Sequence, residues 1–110
     1  MSQIDFTLHD LPMLLTRNKS KQWRELILIR STTLVSFLKN NELLINIEPF
    51  DCDGNIKEDL IIKMSNVTAD GLELFKKTIP GWHQFLDKGG KIENISRLEK
   101  GLAKIREAKH

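Results

Sequence analysis

Three features of the 110-residue sequence predict an α+β domain. The stretch Gln22–Asn40 carries a helical apolar stripe, two short apolar runs at Leu43–Ile47 and Leu60–Met64 flank an acidic segment, and two more helical stripes fill the C-terminal part. A helical period and a strand period within one short chain imply helices packed on a small sheet. The length suits a single domain over residues 1–110. Hydrophobic residues make up 40% and charged residues 29%, which is too apolar for a disordered chain.

Ile4-Asp5-Phe6-Thr7-Leu8 alternates apolar with polar, as a short N-terminal strand with one buried face would. Asp10 and Pro12 can open a single helical turn reaching Leu15, and the polar stretch Thr16–Lys21 then reads as a loop. Ser20 is a suitable cap for the long helix. On a helical projection Trp23, Leu26, Ile27, Thr33, Leu34, Phe37 and Leu38 share a face, and Arg30 falls inside it. The run Leu26-Ile27-Leu28-Ile29 keeps a strand open as the alternative for the first half.

Beyond Asn40-Asn41 the two apolar runs read as a β-hairpin. Its long loop spans about Pro49 to Glu58, and Gly54 supplies the positive φ that a tight reversal needs. Thr68 caps the next helix, and Asp70 complements the positive end of its dipole. The stripe Leu72, Phe75, Ile79, Trp82 and Leu86 continues in register across Pro80. One kinked helix ending at Gly89-Gly90 is therefore expected. In the last helix Ser96 and Glu99 form a capping-box signature, with Ile95, Leu98, Leu102 and Ile105 on the apolar side. Arg97, Lys100 and Lys104 line its basic face. The two C-terminal helices are expected to form an antiparallel helical hairpin, packed on the sheet or on the first helix.

Charge and cysteine content narrow the functional classes. A formal charge of +2 lacks the basic excess of a typical nucleic-acid binder, so nucleic acid is not the expected partner. The single cysteine, Cys52, excludes an internal disulfide and a multi-cysteine zinc site. The N-terminus lacks the pattern of a secretory signal, and no run approaches the roughly twenty apolar residues of a membrane span. A cytoplasmic protein with no membrane partner is expected.

The stretch FDCDGNIKED, residues 50–59, concentrates the carboxylates. As a calcium loop with Gly54 at the sixth position it would place Pro49 first and Leu60 twelfth, and neither side chain can ligate. No metal and no cofactor are expected. The simplest reading is a solvated loop, and the functional one is a partner-binding surface made by Glu48, Asp51, Asp53, Glu58 and Asp59. An acidic neighbourhood is the wrong setting for an activated thiol, which positive charge favours, so Cys52 is not expected to be catalytic. His9 beside Asp10, and His83 four residues before Asp87, could each pair with a carboxylate, but neither has a matched nucleophile. Trp23 and Trp82 read as core anchors. Leu28 and Val35, on the flank of the long helix, would suit self-association as a homodimer if exposed.

The segment TADGLELFKKTIPGWHQFLDKGGKIENISRLEKGLAKIRE resembles the C-terminal part of a group of small uncharacterised bacterial proteins. In these a Thr-capped helix carries a Trp followed by Leu-Asp and Gly, and a Leu-Glu-Lys helix ends in Ala-Lys-Ile-Arg. The matching positions here include Thr68, Trp82, Leu86, Asp87, Gly89, Leu98, Glu99, Lys100 and the run Ala103–Arg106. Pro80-Gly81 departs from that pattern, and the resemblance carries no chemistry with it. By size and style the chain also resembles immunity proteins of contact-dependent growth inhibition systems. That likeness implies a non-enzymatic antitoxin that occludes a basic toxin domain, and the acidic loop is the surface expected to meet it. The alternative is a small nucleic-acid-associated regulator holding phosphates with Arg97, Lys100 and Lys104. A third reading, an enzyme using His83 and Asp87, requires both to open into a pocket.

Overall fold

The computed structural model describes residues 5–108 and has the expected α+β character. The described residues divide between Val67 and Thr68 into two compact units. Ile4, placed in the N-terminal strand by its alternation, lies outside the described residues.

In the first unit strand β1 (Thr7–Asp10) leads directly into helix α1 (Leu11–Thr16). The Asp10 side chain caps α1 by accepting a hydrogen bond from the Met13 N–H at 3.0 Å, and Pro12 sits in its first turn. Helix α2 (Lys21–Asn40) settles the ambiguity of residues 22–30 in favour of helix. Ser20 caps it by accepting from the Trp23 N–H. Trp23 in turn donates its indole N–H to the Leu14 carbonyl at 2.8 Å, tying α2 to α1.

The buried face of α2 is Ile27, Ser31, Leu34, Val35, Phe37 and Leu38. It is rotated from the expected face. Val35 is fully buried and so unavailable for self-association, while Leu28 is half-buried. Leu26 and Ile29 are exposed instead, and Arg30 is half-buried.

Helix α2 ends in a Schellman motif. The Glu42 N–H donates to the Lys39 carbonyl and the Leu43 N–H to the Leu38 carbonyl, with Glu42 at φ 59 where glycine is usual. Leu38 and Leu43, the pair such a motif brings together, are both buried.

The second apolar run supplies strand β2 (Ile61–Lys63), exposed-buried-exposed along its length. Its antiparallel partner is β1, with Thr7 opposite Lys63 and Asp10 opposite Ile61, and with a register break between Thr7 and His9. The first run, Leu43–Ile47, contributes one bridge, Leu44 to Val67, and the Ile45 N–H bonded to the Asn66 carbonyl. Asn46 at φ 51 interrupts extended backbone there, so the run returns antiparallel without building a ladder. The buried His9 imidazole Nε2 lies 3.0 Å from the Ser31 hydroxyl, joining β1 to α2.

After β2 a 3₁₀ turn (Met64–Asn66) closes on Asp5, which accepts from the Ser65 N–H at 2.9 Å and its hydroxyl at 2.6 Å. The Ser65 hydroxyl, then its backbone N–H, hold the Asp5 carboxyl below its ordinary value of 3.8. A depressed folded-state pKa adds stability above the unfolded value and loses it as pH falls through the folded one. Asp5→Asn is therefore expected to be less stable than the parent at neutral pH, with the gap narrowing below pH 3.8. Urea midpoints measured against pH check this, and a gap independent of pH would refute it.

The second unit holds α3 (Ala69–Lys77), α4 (Ile79–Asp87) and α5 (Ser96–Glu107). Thr68 caps α3 through the Gly71 N–H, as its sequence position predicts. Helices α3 and α4 are the two arms of the expected kinked helix, meeting at Thr78. The break follows from Pro80, which lacks the N–H that would bond the Lys76 carbonyl and crowds that turn.

Gly89 at φ 98 ends α4 with a second Schellman motif, its N–H bonding Leu86 O and that of Gly90 bonding Phe85 O. The start of α5 differs from the expected capping box. Ser96 is the first helical residue, and the Asn94 side chain accepts from both the Ser96 N–H and its hydroxyl. Asn94, two residues upstream, takes the part assigned to Ser96 because its amide oxygen can close an Asx turn there. Trp82, Leu74 and Leu98 are fully buried in this unit.

Candidate functional site

The acidic segment is a small hairpin in its own right. Phe50 and Ile56 form a bridge, the Lys57 N–H bonds Pro49 O, and the Asp51 N–H bonds Asn55 O. At the tip the Gly54 N–H returns to Asp51 O, and Gly54 takes φ 83. This is a type I turn followed by a left-handed residue, the usual three-residue hairpin loop. One carboxylate oxygen of Asp51 accepts from the backbone N–H groups of Asp53 and Asn55, both at 3.0 Å. Ile56 and Pro49 are buried and anchor the base, while Cys52, Asp53 and Gly54 stand exposed at the tip.

The five predicted carboxylates are all exposed, but they do not form one cluster. Asp51 and Glu58 line a groove of about 670 Å³ between the hairpin and the outer side of α2. Glu48 lines a different, smaller groove of about 290 Å³ with Lys39 and Phe50, and the Lys39 ammonium sits 5.4 Å from the Phe50 ring centroid. Asp53 and Asp59 border neither. Glu58 forms an ion pair with Arg24 of α2. Both side chains are about half exposed, so the pair contributes less than about 1 kcal/mol and exchanges readily with other partners.

The α2 wall of the larger groove was not legible as a site. Leu28 and Ile29 form it together with Thr32 and Thr33, whose hydroxyls bond back to the Leu28 and Ile29 carbonyls. With both hydroxyls satisfied on their own helix, the wall is largely apolar. Arg24 and Glu58 are 34 positions apart, and no local signal connects them.

In the second unit Arg97, Lys100 and Lys104 are exposed along α5, as the basic-face reading requires. The Arg97 guanidinium lies 5.0 Å from the Phe85 ring centroid and lines a groove of about 340 Å³ with Gln84 and Lys88. Acidic Glu99 and Glu107 are exposed on the same helix. The half-buried His83 ring is 5.4 Å from that of Trp82, and neither His83 nor Asp87 lines any of these three grooves. Among the described residues no group of three or more His, Cys, Asp or Glu side chains is placed to hold a metal ion, and no helix is long and apolar enough to cross a membrane.

No family model matches this chain, and neither a curated protein nor a solved structure is similar to it.

Proposed function

We propose that the protein is a non-enzymatic binding protein of immunity or antitoxin type, which neutralises a basic toxin domain by direct occlusion through its acidic hairpin. The observation that carries the reading is the hairpin itself, which holds Asp51 and Asp53 at an exposed turn through its own hydrogen bonds and leaves Glu58 exposed near its base. A surface already ordered before encounter loses little conformational freedom on binding. Its carboxylates act over a distance, steering a positively charged partner into register and raising the association rate, while buried anchors set the lifetime. The net charge of +2 does not oppose this, because the field that matters to an approaching partner is local to the hairpin.

The test pairs the protein with the polypeptide encoded beside its gene. Co-expression should relieve that polypeptide's toxicity. Stopped-flow association should then slow by on the order of tenfold or more at low salt, and lose much of its salt dependence, when Asp51, Asp53, Glu58 and Asp59 are replaced by Asn or Gln. Unchanged rates exclude this surface. Retention of DNA or RNA on filters at low salt, lost when Arg97, Lys100 and Lys104 are neutralised, would transfer the function to α5.

A further inference from the structure

We propose that the groove between α2 and the acidic hairpin receives a partner segment in which an aliphatic side chain stands beside an arginine, and that Arg24 occupies the arginine's place until the partner arrives. This rests on the protein-binding reading above and names the chemistry of the segment recognised.

The groove has two chemically different walls. On the helix side Leu28, Ile29 and the back-bonded Thr32 and Thr33 offer apolar surface, and Ile29 is 53% exposed. On the hairpin side Ile56 continues that surface inward, while Asp51 and Glu58 supply negative charge against the single cation Lys57. About 670 Å³ is within the range of volumes that enclose a ligand of many atoms, and it exceeds what one side chain fills. An occupant matching both walls is apolar on one side and cationic on the other.

The ion pair identifies the cation. Arg24 lies one helical turn before Leu28, so its guanidinium reaches Glu58 across the same helix face that forms the groove wall. The chain thus already sets a guanidinium against Glu58 beside an aliphatic surface, an internal copy of the contact a partner would make. Because the pair is solvent-exposed and weak, a partner arginine can take over Glu58 while its aliphatic neighbour covers Ile29. Arginine suits this place better than lysine, since its planar fork meets a carboxylate with two parallel hydrogen bonds.

Fluorescence polarisation with two synthetic peptides tests this on the full chain. One alternates arginine with leucine, and the other alternates arginine with serine at equal charge. The arginine–leucine peptide should bind on the order of tenfold more tightly, the increment expected for covering one aliphatic side chain. Ile29→Asp should erase that advantage, Glu58→Gln should weaken binding, and Arg24→Ala should strengthen it by removing the internal competitor. Ile29 is exposed, so the variant is expected to keep its fold, and an unchanged circular dichroism spectrum checks that. Equal binding of the two peptides, or indifference to Ile29→Asp and Arg24→Ala, overturns the groove assignment but leaves the acidic surface standing. If neither peptide loses affinity when the four hairpin carboxylates are neutralised, the acidic surface falls as well.

Discussion

Replacing Trp82 with alanine is expected to lower the unfolding free energy by about 3–5 kcal/mol, the usual cost of emptying a large aromatic site in a core. Trp82 is fully buried on α4, and its indole N–H reaches the Asn94 carbonyl at 3.3 Å. The substitution therefore removes both the largest buried side chain of the second unit and a bond from α4 to the loop that begins α5. Against a total stability of about 5–15 kcal/mol for an ordinary domain, such a loss leaves little margin at 37 °C. Trp82→Phe keeps most of the volume but no N–H, and should cost distinctly less. Denaturant titration followed by circular dichroism measures both, and Trp23 remains as a fluorescence reporter in either variant. A Trp82→Ala protein within about 1 kcal/mol of the parent would contradict the burial.

Gly101→Ala is expected to be destabilising, although glycine to alanine inside a helix ordinarily stabilises by up to about 1 kcal/mol. The sign reverses because of Thr78. A Cβ at residue 101 would stand 2.3 Å from the Thr78 hydroxyl oxygen, 2.4 Å from its methyl and 2.8 Å from its Cβ. Rotating χ1 can move the first two atoms, but the Cβ shifts only with the backbone at the junction of α3 and α4. Overpacking of this kind costs about 1–3 kcal/mol, which outweighs the propensity gain. Combining Gly101→Ala with Thr78→Ala removes the two nearer obstacles and should recover part of the loss, giving a measurable coupling in a double-mutant cycle. Greater stability for Gly101→Ala alone would mean that α5 does not approach the bend so closely.

The same two residues mark how far sequence reasoning reaches. Trp82 was legible as a core anchor, because it stands on a helical stripe whose spacing survives Pro80. The bend followed from the proline itself, and the ends of α2 and α4 from Asn40-Asn41 and Gly89-Gly90. Gly101 gave no signal, since close approach of helices depends on tertiary geometry that no local pattern records.

The sequence suggests Leu43–Ile47 as the partner of Leu60–Met64; that run contributes the Leu44–Val67 bridge, while the ladder on β2 is formed by β1. Several short apolar runs compete as partners, and the loop-closure penalty differs little between them. Around Leu43–Ile47 both Glu42 and Asn46 adopt positive φ, which interrupts extended backbone; asparagine tolerates that region, but glutamate gives no sign of it. In α2 the continuous run Leu26–Ile29 left the angular origin of the stripe uncertain by about one residue, enough to misplace Val35 outside the core and Leu26 inside it. Of the candidate site, the reversal was visible in Asp53-Gly54 and the carboxylates, but the Phe50–Ile56 pairing that makes the segment a hairpin of its own was not. The groove's other wall was not visible either, because Arg24 and Ile29 belong to a helix that meets the hairpin only in three dimensions.

The turn that fixes the hairpin also sets the one thiol of the chain at its apex, since Cys52 is exposed and no other cysteine exists. A maleimide dye or nitroxide attached there needs no engineered background. It would sit within one residue of Asp51 and Asp53. Docking of any macromolecule on this face should then register directly as quenching, slowed tumbling or a changed spin-label line shape.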